Sequence, residues 1–213
     1  MKISGAIFDV DGTLLDSMSI WDAIGERYLR SLGYEPKENL NEVFNTMSLY
    51  QAACYYQSEY GVTLSTDEIM RGVNALLEQQ YRCEVPLKPG AEKLLERLHQ
   101  NKAKLCIATA TDRYLVEVAL RRCGVRSYFG ELFTCNEVGH GKDEPHIFEA
   151  ALRFLGTERA QTIVFDDALY ALRTAKAAGF PVAAVYDSHE NAQAEVQALA
   201  DVYLENLADF DLV

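Results

Sequence analysis

The chain has 213 residues, 49% of them hydrophobic, enough for one core domain with a sizeable insertion or for two small domains. A formal net charge of -12 and a pI near 4.8 make a surface that repels phosphate backbones, which argues against a nucleic-acid partner and otherwise reads as solubility. No apolar stretch approaches the ~20 residues needed to cross a bilayer, so no membrane partner is expected.

The five cysteines, Cys54, Cys83, Cys106, Cys123 and Cys135, are odd in number and form no CxxC. Neither structural zinc nor a disulfide framework is expected, and a reducing cytoplasm is the expected setting. Met1-Lys2-Ile3-Ser4 runs straight into a strand with acidic residues and does not read as a signal peptide.

In chain order, the first element is a β-strand carried by Ile3, Ala6, Ile7, Phe8 and Val10. Asp9 and Asp11 follow its apolar run, and Gly12 breaks it directly after the second aspartate. Strand alternation would put both carboxylates on one face, where they repel and call for a cation.

From about Ile20 to Cys83 the pattern is helical. Trp21, Ile24, Tyr28, Leu29 and Leu32 recur at helical spacing up to Gly33. A short helix over Leu40 to Asn45 follows. Ser48 is placed to cap a third helix that carries Tyr55, Tyr56 and Tyr60 and stops at Gly61, and Thr66 to cap a fourth with the stripe Ile69, Val73, Leu76, Leu77 and Tyr81. The expected organisation is a core of residues 1–16 and 87–213, with a four-helix bundle over 17–86 inserted after the first strand.

Beyond Val85-Pro86-Leu87-Lys88-Pro89-Gly90, where Pro89 is suited to open a helix, strands and helices alternate. Helices are expected over residues 91–101, 112–124, 144–156, 168–179 and 188–200. Strands are expected over 104–109, 132–135, 162–166, 182–186 and, at an edge, 201–204. Such alternation means an α/β fold, a parallel sheet with helices on both faces.

Ligands of such sheets sit outside the carboxyl ends of the strands, near a topological switch point. The strand ends here carry Asp9 and Asp11, then Thr109 with Thr111 and Asp112, then Asp166 and Asp167, while Lys142 lies in the loop before the 144–156 helix. An oxygen-rich set of this kind suits Mg²⁺, with Asp9, Asp166 and Asp167 supplying carboxylates and Asp11 a backbone carbonyl. Thr109, Lys142 and the free N–H groups of a tight turn can hold an anion, together a phosphoryl-binding site. A carboxylate beside the metal can attack to form an aspartyl phosphate, and the aspartate two residues on can move protons.

Each residue alone has a plainer reading. Asp11-Gly12 is a common turn signal, Asp166-Asp167 can be a helix cap pair, and Thr109 and Lys142 are unremarkable at a strand end and in a Gly-rich loop. The order Asp-Val-Asp-Gly-Thr-Leu after an apolar strand is what sets the chemistry apart.

Together these residues resemble the haloacid dehalogenase-like hydrolases, in the phosphatase and β-phosphoglucomutase branch with a helical cap. Phe8-Asp9-Val10-Asp11-Gly12-Thr13-Leu14 is similar to that family's first motif, Ile107-Ala108-Thr109 to its second, Lys142 with Pro145 and Ile147-Phe148 to its third, and Val164-Phe165-Asp166-Asp167 to its fourth. The resemblance implies a Rossmann-like core with the first strand central and a cap that closes over the site. It implies Asp9 as nucleophile, Asp11 as general acid/base, and Thr109 and Lys142 as phosphoryl ligands. Asp9, Asp11, Asp166 and Asp167 would hold Mg²⁺. Gly12, Thr13 and Ala110 flank the phosphoryl group, and Ser17 and Trp21 are placed to meet substrate.

The chain departs from the pattern at Asp143 and His146, where the family has Pro and Asp, and at Ala168 to Ala171, where it has Ser-x-x-Gly. These changes bear on loop packing and on contacts around the metal. Trp21 stands where sugar-phosphate mutases of this type carry a cap His, and no cap Arg equivalent occurs between Asn45 and Tyr50. Phosphomonoester hydrolysis on a small metabolite, by a monomer, is therefore the leading expectation. A mutase is the alternative, and a non-catalytic phosphoryl-binding domain ranks below both. His140 and His146 read as loop and helix-surface residues, not ligands.

Overall fold

The computed structural model describes residues 3–38, 40–44, 47 and 49–211. Its contacts divide the chain into two units, Met1–Ser17 with Val85–Val213, and Met18–Glu84.

The larger unit is built on β1 (Gly5–Phe8), four residues buried on both faces, as a central parallel strand requires. Five further strands join it: β2 (Lys104–Thr109), β3 (Phe129–Thr134), β4 (Thr162–Asp166), β5 (Val182–Val185) and β6 (Val202–Leu204). All pair in parallel, in the order β3-β2-β1-β4-β5-β6. The chain runs outward from β1 through β2 to β3, then returns to the other side of β1 with β4. The switch point therefore lies at β1, a Rossmann-like arrangement.

Register at that point is fixed by aromatic packing. Phe8 pairs with Phe165 across β1 and β4, and their rings stack at 4.4 Å with 4° between planes. Phe129 and Phe210 close edge-on against this pair. The next residues along the two strands are Asp9 and Asp166, and the ladder continues through Asp9 N–H to Phe165 O at 2.9 Å.

One face of the sheet, carrying Ile7, Cys106, Ala108, Val164, Val182 and Ala184, is covered by α8 (His146–Leu155), α9 (Leu169–Ala177) and α10 (Gln193–Leu199). Helix α8 contributes Ile147, Phe148, Ala151 and Leu155, an i, i+1, i+4, i+8 stripe. The remaining helices of this unit are α5 (Ala91–Gln100), α6 (Arg113–Arg122) and the short α7 (Cys135–Val138).

Several boundaries differ from the sequence-based expectation, each for a local reason. The third strand runs Phe129–Thr134, longer than 132–135, and Cys135 instead opens α7, because Thr134 Oγ1 accepts the Glu137 N–H and caps it. Helix α5 opens at Ala91, as expected, with Gly90 and not Pro89 as the residue that leads into it. Gly90 is left-handed (φ 79°), and a side chain there would collide with Asn206 and Ala208. Helix α10 starts at Gln193 instead of Ser188. The carboxylates of Asp187 and Glu190 take the backbone N–H groups of His189 and Ala192, giving the chain a turn in place of a helical start.

Residues 18–84 form the helical unit: α1 (Met18–Ser31), α2 (Leu40–Phe44), α3 (Leu49–Tyr60) and α4 (Thr66–Cys83). No strand occurs among its described residues. Asn45 and Ser48, expected to end one helix and cap the next, lie outside them. The cap of α4 is Ser65, not Thr66. Ser65 and Glu68 exchange side-chain and backbone bonds, a reciprocal capping box that Thr66 cannot form.

Tyr28, Tyr56, Ile69, Val73, Leu77 and Tyr81 are buried in this unit, and the Tyr56 hydroxyl donates to Gly25 O at 2.7 Å. Helices α1 and α4 pack so closely at Gly72 that a methyl there would lie 2.6 Å from Tyr28 Oη and 2.7 Å from Cζ. Tyr28 is buried, so its ring yields only by disturbing its neighbours, and Gly72→Ala is expected to destabilise the protein by about 1–3 kcal/mol through overpacking. Urea denaturation measures this; an unchanged or raised midpoint would contradict the packing described.

Candidate active site

The site grows from the end of β1. Val10 O accepts the N–H groups of Leu14 and Leu15 at 2.9 and 2.8 Å, and Gly12 N–H reaches back to Leu15 O at 2.9 Å. This winds residues 10–15 into a tight loop with Gly12 left-handed at φ 79°. A side chain at Gly12 would run into the Asp167 carboxylate, so glycine is needed for both the backbone and the space. The loop exits beside the returning connector: Asp16 N–H donates to Pro86 O at 3.0 Å and Lys88 N–H to Leu14 O at 2.8 Å. Both chain crossings to the helical unit are thereby tied together as a short antiparallel pair.

Asp9, Asp166 and Asp167 are buried, and an oxygen from each lies within 4.8 Å of the others. Asp9 and Asp166 meet because of the Phe8–Phe165 register. Asp167, one residue past β4, accepts the Thr13 hydroxyl at 2.8 Å. Lys142 is itself buried and donates through Nζ to Asp9 Oδ1 and to Asp166 Oδ2, the latter at 2.8 Å. It reaches them because α8, directly after its loop, packs on the sheet face that carries Ile7 and Val164, two residues before each aspartate. The other oxygen of Asp166 accepts the Ala168 N–H at 3.0 Å.

These groups shift one another's acidity. Burial raises the Asp9 carboxyl most. Lys142 pulls it down, Asp166 and Asp11 push it up again, and it ends at about 7 against an ordinary 3.8. Asp167 is raised well above the usual range by burial, then by the charges of Asp166 and Asp9. Burial works against the Lys142 ammonium, but Asp166 and Asp9 together outweigh it and hold the proton on. Three carboxylates facing one ammonium leave a surplus of negative charge in a buried pocket.

Asp11 lies near enough to raise the Asp9 carboxyl. β1 ends at Phe8 and the chain then turns, so a tight loop and not strand pairing places Asp11. The Asp11 carboxylate accepts Ser17 Oγ–H on Oδ1 and Thr111 Oγ–H on Oδ2, both at 2.6 Å. Ser17, expected to face substrate, is wholly buried with its hydroxyl on Asp11. Thr111 was placed at the strand end by the sequence but given no role there. Its only signal was a second hydroxyl two positions beyond Thr109 at a strand end.

Thr109 is buried at the end of β2 and its Oγ1 accepts the Thr111 N–H at 3.1 Å; Ala110 between them is exposed at the strand-to-helix turn. In the helical unit, the Trp21 indole N–H donates to Tyr81 Oη at 3.0 Å, tying the first helix to the fourth.

A central-strand aspartate, a lysine from the loop before α8 and an acidic pair at the next strand end thus meet at the carboxyl edge of an α/β sheet. The family model described as haloacid dehalogenase-like hydrolase matches residues 6–185, so the chain belongs to the haloacid dehalogenase-like hydrolases. It is 31% identical to a Drosophila melanogaster protein named "Probable pseudouridine-5'-phosphatase", covering 98% of this chain and 92% of that one. It is 29% identical to the validoxylamine A 7'-phosphate phosphatase of Streptomyces hygroscopicus subsp. limoneus, covering 96% and 94%. The crystal structure of CbbY from Rhodobacter sphaeroides in complex with phosphate superposes with a TM-score of 0.80 at 24% identity, covering 97% and 96% of the two chains, a likeness of fold. Among the described residues no helix is long and apolar enough to cross a membrane.

Proposed function

We propose that this phosphoric monoester hydrolase uses Mg²⁺ and an Asp9 aspartyl phosphate to hydrolyse a small phosphorylated metabolite in the cytoplasm. The observation that carries the reading is the buried meeting of Asp9, Asp166 and Asp167 around Lys142 at the sheet's switch point. The metal fits these residues. The donors are all oxygen and they are buried, and the crowding that makes Asp9 and Asp167 reluctant to ionise is what a hard divalent cation relieves. Asp9, Asp166 and Asp167 would hold it, with the Asp11 carbonyl. When bound, the ion supplies positive charge against the phosphoryl oxygens and keeps Asp9 ionised at neutral pH.

The chain's own groups do the rest. One Asp9 oxygen attacks phosphorus, and the P–O bond to the leaving alcohol breaks. Asp11, held by Ser17 and Thr111, gives a proton to the departing oxygen and then takes one from the water that cleaves the aspartyl phosphate. Lys142 and Thr109, with the backbone of Gly12, Thr13 and Ala110, bind the phosphoryl oxygens. Trp21 is a candidate substrate contact. The named activities of the relatives, each a phosphatase of a small phosphorylated compound, support the substrate class.

Release of inorganic phosphate from p-nitrophenyl phosphate and from a panel of sugar and nucleoside monophosphates tests the reading. EDTA should reduce it by at least about 100-fold and added Mg²⁺ should restore it. Full turnover in EDTA would reject the metal, and isomerised sugar phosphate without phosphate release would reject hydrolysis.

A further inference from the structure

The loop that delivers Lys142 to Asp9 carries a second cluster that the hydrolytic site does not use. His140 Nδ1 and His146 Nε2 each lie 3.0 Å from the same oxygen, Glu144 Oε2. The two rings stack face to face, 4.0 Å between centroids and 32° between planes, with one nitrogen of each at the Glu144 oxygen. One donor atom from each of the three residues falls within 4.8 Å of the others. The residues come from both ends of one short turn, closed by Glu144 N–H to Gly141 O at 3.3 Å, and Pro145 and α8 fix the position of His146.

We infer that His140, Glu144 and His146 form a surface site for a borderline divalent cation, Zn²⁺ in kind, that clamps the Lys142 loop. The donor set decides the class of ion. Two imidazole nitrogens and one carboxylate oxygen suit Zn²⁺, Co²⁺ or Ni²⁺ and not Mg²⁺, which takes oxygen donors. With metal–ligand bonds of about 2.0–2.1 Å, the donors of a tetrahedral zinc stand roughly 3.3 Å apart. The present 3.0 Å separations need only a small opening to accept it. The side chains are 44%, 52% and 52% exposed, which leaves an approach for the ion and a position for water as fourth ligand.

Binding breaks no covalent bond. Each coordinating ring nitrogen releases its proton to the other nitrogen of its ring or to water, and the neutral imidazoles coordinate. The ion then closes residues 140–146 into a ring with Lys142 near its middle, and motion of that loop should fall. This inference does not rest on the hydrolytic reading, since none of its three ligands belongs to that site.

The histidine ring nitrogens of the ¹⁵N-labelled full chain report on this directly. The chain has four histidines, His99, His140, His146 and His189. With Mg²⁺ in excess, one equivalent of added Zn²⁺ should shift the ring nitrogens of His140 and His146 and leave those of His99 and His189 in place. Amide exchange over residues 141–144 should slow with it. By calorimetry the double variant His140→Ala/His146→Ala should bind one Zn²⁺ fewer than the parent, and Asp166→Asn should retain the histidine site. Unmoved His140 and His146 ring signals at saturating Zn²⁺, or equal binding by the parent and the double variant, would overturn the inference. The ring spectra need no variant, so a double variant that fails to fold leaves the test intact.

Discussion

Asp9→Asn should lower phosphate release on the order of 10⁴-fold or more while leaving the protein folded. Asparagine keeps the shape of the side chain and an oxygen that can accept from Lys142. It lacks the charge and nucleophilicity of a carboxylate, and no other residue of the site replaces them, because Asp166 is committed to Lys142 and the Ala168 N–H and Asp167 to Thr13. The same change should help stability. Asp9 is raised to about 7 in the folded chain from an ordinary 3.8, so the metal-free fold binds its proton more tightly than the unfolded chain does. Its contribution to stability is therefore present below about pH 4 and lost as pH rises through about 7. In EDTA, Asp9→Asn should gain stability over the parent at pH 8 and show a flatter dependence between pH 5 and 8. Turnover and urea midpoint would thus move in opposite directions. Activity within tenfold of the parent would remove Asp9 from the chemistry.

Lys142→Met should be the most costly single change for the metal-free fold. It removes the one ammonium that Asp9 and Asp166 share and leaves buried carboxylates facing one another. Removing one partner of such a buried pair costs about 3–5 kcal/mol. The loss should grow as pH rises, since the carboxylate it strands then ionises, and Mg²⁺ should recover part of it. Denaturation at pH 5 and pH 8, with and without Mg²⁺, reads all of this. A loss below about 1 kcal/mol at pH 8 in EDTA would mean that the pair is no stronger than an exposed one.

What was legible in the sequence was whatever local pattern dictates. The apolar run before Asp9, the β-α alternation after Pro89 and the amphipathic stripes gave the sheet and its helices. The parallel sheet gave the edge on which Asp9, Thr109, Asp166 and Asp167 would meet. Boundaries failed where a side chain competed with the backbone. Asp187 and Glu190 delay α10, Thr134 starts a helix where a strand was expected, and Ser65 takes the cap from Thr66 because Glu68 stands three residues on.

Within the site, long-range partners were the illegible part. Residues Asp11 and Thr111 are a hundred positions apart in the chain, and only the adjacency of β1 and β2 joins them. Alternation was also applied to Asp9 and Asp11 beyond the end of β1 at Phe8, where a loop and not the strand sets their positions. His140 and His146 were read as surface residues and not as ligands, because it is a turn, outside any regular element, that brings them together with Glu144.

The most direct test of the central claim is to catch the phosphoryl group on Asp9. An enzyme mixed with substrate, quenched in denaturant and reduced with borohydride should carry homoserine at position 9, the product of reducing an aspartyl phosphate, located by fragmentation of the peptide that spans residues 5–15. The mark should be absent without substrate. Phosphate release at full rate with an unmodified Asp9, or the mark at Asp11 instead, would contradict the account.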